Sequence, residues 1–242
     1  MAEWIDSIKA QFVLNFINED RWKLLLEGLK TTLVVTFFAL MIGIVIGVVI
    51  AAVRSTYDTN YSRMHNRMAK IILTIFDKIC RLYITVIRGT PVVVQLLILY
   101  FVVFVSSNNK IFVASLAFGI NSGAYVAEIV RGGIMSIDPG QMEAGRSLGF
   151  NYIQTMWYII IPQTVKNVLP ALGNEFIVLI KETSISGYIA LQDLTKAGDI
   201  IRGRTYSAFM PLFAVALIYL ALVMIFSALV NRLERRLRQN ER

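Results

Sequence analysis

Four long stretches of this chain carry no charged residue: Thr31 to Val53, Gly89 to Asn109, Ile111 to Ala127 and Thr205 to Val230. A helix needs about 20 apolar residues to cross a hydrocarbon core about 30 Å thick, so these runs read as membrane spans. Span one covers Lys30 to Val53, and Gly43 and Gly47 give it a small-xxx-small pair that admits a close helix neighbour. A polar loop follows, and Ile71 to Ile87 then alternates as an amphipathic helix with Asp77, Lys78 and Arg81 on its polar side. Arg88-Gly89-Thr90-Pro91 breaks that helix, because proline disfavours helical geometry before it and clashes four residues back. The spacing predicts Thr90 as an N-cap and Pro91 as the first residue of span two, which ends near Val105. Span three covers Ile111 to Ile134, with Glu128 and Arg131 placed to pair across one turn. Span four covers Val168 to Ser186, and Gly187 at its outer end reads equally as a hinge or a plain terminus. Gly187 to Tyr206 is an external segment with a short helix at Leu191 to Gly198, and span five covers Ser207 to Val230.

Composition agrees with this pattern. The chain of 242 residues is 56% hydrophobic and 17% charged, against about a quarter charged for a soluble domain. Its net charge of +8 does not point to nucleic acid, because the basic residues cluster at the ends of apolar runs. Arg54, Arg63, Arg67, Lys70, Lys78 and Arg81 follow span one, and Arg232, Arg235, Arg236, Arg238 and Arg242 follow span five. Cytoplasmic flanks carry such an excess. The expected fold is therefore an all-α polytopic membrane protein with five transmembrane helices, its N-terminus outside and its C-terminus cytoplasmic. Residues 1–29 read as an N-terminal segment, interfacial through Trp4, Ile5, Ile8, Phe12 and Phe16 or else a solvated helix. Residues 30–231 form the membrane domain, with a cytoplasmic loop at 135–162, and residues 232–242 form a basic tail. The lone Cys80 and lone His65 exclude a Cys/His zinc site and leave no support for a nucleophilic triad.

The polar segment Asp138 to Pro162 is dense in local signals. Asp138 caps and Pro139 opens a helix over Gly140 to Leu148, which Gly149 terminates. Asn151 with Gln154 forms a capping box for a second helix reaching Pro162. Two short helices tied to two spans make a lever. The order Glu143-Ala144-Gly145, three residues, Gly149, nine residues, Ile159-Ile160-Ile161-Pro162 resembles the EAA loop of binding-protein-dependent ABC importer permeases. It departs at Gly145, where the pattern has Ala, and at Ile161, where it has Leu. Val86 to Pro91 with Gln95, Ala124 to Gly133, and Leu169 to Phe176 with Lys181-Glu182 narrow the resemblance to polar amino acid permeases of the histidine and glutamine type, over about Leu26 to Arg238.

The resemblance implies a type I ABC importer permease fold in a bacterial cytoplasmic membrane. It implies that Glu143, Ala144, Gly145, Arg146 and Gly149 dock on a cytoplasmic ABC ATPase dimer. It further implies a second permease chain, the same or a sister, and an extracytoplasmic amino-acid-binding protein. The chain has no Gly-x-x-x-x-Gly-Lys-Ser/Thr sequence, so ATP belongs to the partner and no cofactor is expected here.

Glu175, Lys181 and Glu182 lie within an apolar span, where ionisable groups usually face a cavity or one another. Glu175 and Glu182, seven apart, share a helix face. Either Lys181 simply pairs with a carboxylate or reaches the outer interface, or the face lines a substrate cavity. In the second case a carboxylate meets the ammonium of an amino acid, and Lys181 meets its carboxylate. The Thr90-Pro91 helix start would also favour an anion, and Gln95 one turn on supplies an amide. A passive channel or a non-transporting structural membrane subunit remains the alternative reading.

Overall fold

The computed structural model describes residues 2–239. Its helices are α1 (Ala2–Phe12), α2 (Trp22–Asn60), α3 (Arg67–Gly89), α4 (Val92–Ile98), α5 (Lys110–Met135), α6 (Pro139–Ser147), α7 (Tyr152–Thr155), α8 (Ile161–Glu182), α9 (Leu194–Thr205) and α10 (Phe209–Gln239). No strand occurs among the described residues. Residues 240–242 of the basic tail lie outside them, as do the side chains of Glu3, Ile5, Arg63 and Arg238.

The apolar runs mark what lipid can cover, and the helices outrun them. α2 continues to Asn60, beyond the Val53 boundary, where Arg54 and Asp58 pair with Glu128 and Arg131 of α5, so tertiary contacts outweigh the weak helix propensity of Ser, Thr, Asp and Asn. Three described helices, α2, α5 and α10, are long and apolar enough to cross a membrane. The pair of α3 and Val92–Val103, bent by 105°, makes a fourth if counted as one broken span.

Small residues bring α2 and α5 together. Gly43 and Gly47 meet α5 beside its own Gly119 and Gly123. An added Cβ would lie 2.5 Å from Val126 Cγ1 at Gly47, and 2.7 Å from Ile42 Cβ at Gly119. This contact runs in parallel register: residues 42–47 of α2 lie beside 119–126 of α5, and Arg54 lies beside Glu128. α8 runs antiparallel to α5, since Gly133 meets Val168 near one end and Ser122 meets Glu175 further along. α10 returns antiparallel to α8, through Gly173 on Val230 and Phe176 on Phe226. The core around Val35, Leu96, Phe118, Leu179 and Ile189 therefore joins α2, α4, α5, α8 and the turn after α8.

At one end of the bundle, α9 packs under α2, α10 and the π-helical turn Val13–Ile17 that follows α1. Asp193 caps α9, Thr32 accepts a hydrogen bond from the Leu194 amide at 3.1 Å, and Asn15 accepts one from Thr205 at 2.7 Å. α9 starts at Leu194, three residues after the expected Leu191, because the aspartate supplies a cap there. The opposite end carries α6, α7 and the C-terminal parts of α2, α5 and α10.

Candidate functional site

The helix break is built differently from its expected caps. α4 begins at Val92, with Pro91 in the capping position in extended geometry. Thr90 is also extended, and its hydroxyl donates backwards to the Val86 carbonyl at 2.9 Å, so it caps nothing in α4. Its side chain is better placed for the open end of α3 than for the N–H groups ahead. Gln95 completes the corner. Its amide donates to the Ile87 carbonyl at 2.8 Å, the Thr90 carbonyl at 3.1 Å and the Thr90 hydroxyl at 2.8 Å, and its oxygen accepts from Asn121 at 3.1 Å. Replacing Gln95 with Leu leaves the Ile87 carbonyl of α3 and the Thr90 carbonyl after it without this donor. The expected result is a loss of about 1–3 kcal/mol, measured by denaturation of the purified chain in detergent; stability equal to the parent would refute the corner role.

One residue further along α5, Ser122 donates to Glu175 at 2.7 Å. Asn121 and Ser122 thus connect the break to the charged face of α8. The sequence reading passed over both, although an Asn-Ser-Gly triplet inside a charge-free apolar run was the available signal. Glu175 is buried, Glu182 is half-buried and Lys181 is exposed. Among the described residues, Lys181 makes no ion pair with either glutamate. The structure therefore brings Gln95, Thr90 and Glu175 to a shared polar layer through α5, and leaves Lys181 and Glu182 open at the end of α8.

The loop between α5 and α8 follows its local signals closely. Asp138 accepts from the Gly140 amide at 2.7 Å, and Pro139 opens α6. Gly149 adopts φ of 86°, a conformation that suits glycine. The Phe150 amide then reaches the Gly145 carbonyl at 3.1 Å and the Gly149 amide reaches Arg146 at 3.0 Å, the paired bonds of a Schellman end. Asn151 and Gln154 form the full capping box. Helical backbone then continues from Tyr152, through one π-helical turn at Met156–Ile160, to Glu182. Glu143, Ala144, Arg146 and Gly149 are exposed, whereas Gly145 is buried against Thr155. Glu143 also lines a cleft of about 160 Å³ with Asn60, Ile134, Met142, Tyr152 and Met156.

A charge cluster around the buried Asp77 ties α3 to the bundle. Arg54 donates to Glu128 at 2.6 Å and lies 3.8 Å from Asp77; Arg81 pairs with Asp77 at 2.7 Å; Arg131 reaches Asp58 at 3.2 Å and Glu128 at 3.5 Å. The Glu128–Arg131 pair is the one predicted above; Asp77–Arg81, four apart on α3, is local too, and the remaining partners come from different helices.

A continuous helical arm runs from an exposed capped loop into a bundle with a charged face, in a chain rich in membrane-length helices. These features fit the membrane subunit of a transport system. Residues 43–239 match the family described as the binding-protein-dependent transport system inner membrane component, and the chain belongs to that family. It is 39% identical over 168 residues to the glutamine transport system permease protein GlnP of Escherichia coli (strain K12), covering 68% of this chain and 77% of the relative. It is 39% identical over 169 residues to the arginine transport system permease protein ArtQ of Bacillus subtilis (strain 168), covering 69% and 77%. The crystal structure of an amino acid ABC transporter with histidines is similar at 41% identity and a TM-score of 0.78, covering 91% of this chain and 98% of that one. An inward-facing MetNI methionine ABC transporter shares the fold, with 20% identity and a TM-score of 0.75 over 89% and 97%.

Proposed function

We propose that this chain is the permease subunit of an ATP-driven, binding-protein-dependent importer of polar amino acids, with basic ones among the candidates. The observation that carries this reading is the unbroken helical arm from the capped α6–α7 corner to Glu182. Force applied to α6 moves the charged end of α8 with little loss, because the corner is fixed by two caps and a Schellman end. The relatives' names supply the substrate class.

In this reading five spans cross the membrane: α2, the segment from Pro91 to about Val105 that follows the bend, α5, α8 and α10. The parallel course of α2 and α5 and the reversed course of α8 support that count. The N-terminus and α9 lie outside, and α6, α7 and the basic tail lie in the cytoplasm, where positive flanks belong. Residues 1–29 form the interfacial segment, 30–231 the permease domain with its coupling loop at 135–162, and 232–242 the tail. Glu143, Ala144, Arg146 and Gly149 meet an ABC ATPase dimer that binds ATP, and Gly145 sets the angle of that contact. A second permease chain, the same or a sister, completes the path, and an amino-acid-binding protein delivers substrate from outside.

ATP binding draws the two coupling helices together and opens the pair outward; hydrolysis restores the inward-facing state. Substrate meets Glu182 and Lys181 first. Thr90, Pro91 and Gln95 shape the helix corner at the level of Glu175, which anchors the face through Ser122. Co-purification from native membranes tests the reading. A stoichiometric P-loop ATPase, lost on Glu143→Ala with Gly149→Ala, is the expected result, and an intact chain that brings no ATPase would overturn it. In proteoliposomes, Glu182→Gln is expected to reduce substrate-dependent uptake at least tenfold, about 1.4 kcal/mol. Unchanged uptake in both Glu182→Gln and Glu175→Gln would remove these carboxylates from the path.

A further inference from the structure

α3 has three distinct sides. One packs on the bundle through Asp77, Cys80 and Ile84. A second is an exposed apolar stripe: Met68, Ile71, Ile72, Ile75, Phe76, Ile79, Leu82 and Val86. At 100° per residue these positions cover an arc of roughly 140°. The third is polar, and Arg67 and Lys78 fall within about 40° of the stripe's edge. Both are exposed, and neither has an ion-pair partner among the described residues.

The charges of α3 are one-sided: Arg67, Lys70, Lys78, Arg81 and Arg88 stand against Asp77 alone. That acid is already engaged by Arg54 and Arg81. Lys70 and Arg88 sit over aromatic rings, 5.2 Å from Tyr61 and 5.2 Å from Tyr125. Arg67 and Lys78 are left to meet whatever borders the stripe. The 105° bend at Gly89-Thr90-Pro91 fixes the orientation. α4 runs antiparallel to α5, with Gln95 on Asn121 and Phe104 on Phe112, so it follows the bundle axis and α3 lies across it.

We infer that α3 is a lipid-recognition element, whose apolar stripe enters the acyl boundary of one leaflet while Arg67 and Lys78 bind the phosphates of anionic phospholipids. A helix lying in the interface needs this arrangement: an apolar face for acyl chains and cations at its border for headgroups. The charge sign selects anionic over zwitterionic lipid. The ion cluster around Asp77 has a role here too, since it holds α3 against α2 and α5 at a fixed rotation that keeps the stripe outward. The leaflet assignment rests on the orientation proposed above, but the lipid preference does not.

The test places the full-length chain in nanodiscs of phosphatidylcholine, with or without phosphatidylglycerol. Native mass spectrometry reads the lipid retained, and a spin label at Ile75→Cys on a Cys80→Ser background reads depth. Phosphatidylglycerol is expected to be retained preferentially. Each of Arg67→Gln and Lys78→Gln should lower that preference about fivefold, from roughly 1 kcal/mol per surface cation, while Arg67→Lys keeps it. The label should be open to oxygen and closed to a water-soluble nickel chelate. Equal retention of both lipids, a label open to the chelate, or Ile75→Cys cross-linking between two chains would each overturn the inference, the last by showing that a second copy covers the stripe. Sidedness is read separately, by impermeant thiol labelling, so an inverted topology and an absent lipid site give different results.

Discussion

Substituting Arg54 with Ala is expected to destabilise the chain by about 1–3 kcal/mol, the cost of leaving a buried carboxylate oxygen without its partner. The side chains of Arg54 and Asp77 are only 11% and 4% exposed, and Arg54 serves both Asp77 and Glu128. Removing it takes the cation from Asp77 Oδ1, while Asp77 Oδ2 keeps the half-exposed Arg81 and Glu128 keeps Arg131. The double variant Arg54→Met with Asp77→Leu removes both charges and fills the volume, and should recover most of the loss. Equilibrium denaturation in mixed micelles reads both variants. A change below about 1 kcal/mol for Arg54→Ala would place the pair among ordinary surface ion pairs and remove its claim to hold α3.

The second large effect is expected at Gly145. Gly145→Ala restores the Glu-Ala-Ala order of the resembled loop and should strengthen α6 as an isolated helix by about 1 kcal/mol. In the folded chain the new Cβ would sit 2.5 Å from Thr155 Cγ2 and 2.9 Å from its Oγ1. Overpacking of this kind costs about 1–3 kcal/mol, and α6 relieves it by tilting away from α7. Coupling should then fall although the helix is stronger. ATPase stimulation by the loaded binding protein, measured on the assembled transporter, is expected to drop several-fold in Gly145→Ala and to return in Gly145→Ala with Thr155→Ala. Full coupling in the single variant, or no recovery in the double, would show that the α6–α7 distance is not what the glycine sets.

Both effects come from contacts that neighbouring residues do not announce. The caps of the α6–α7 loop are readable because each is closed within a few residues: Asp138 on Gly140, Asn151 on Gln154, and Gly149 turning the chain in place. Thr90 also acts locally, yet its hydroxyl turned back to Val86 and left the start of α4 to Pro91. A threonine beside a proline has acceptors on one side and donors on the other, and local spacing does not choose between them. Gln95 was singled out as a substrate contact, but its amide is taken up by the corner it sits beside. That outcome depends on the 105° bend, which folds α4 back over the end of α3.

The sequence by itself determined the charge-free runs that membrane crossing requires, the break at Gly89-Thr90-Pro91, the two caps and terminator of the α6–α7 loop, and the motif order that places the chain in its family. Each depends on hydropathy or on hydrogen bonds closed within about one helical turn. Tertiary structure decided which charges meet and which glycines are contacts. Arg54 finds Glu128 across 74 positions because α2 and α5 run in parallel register, and that register is set where Gly43, Gly47, Gly119 and Gly123 let the two backbones approach. A side chain's partner on another helix depends on the rotation and offset of both, quantities fixed only when whole faces pack.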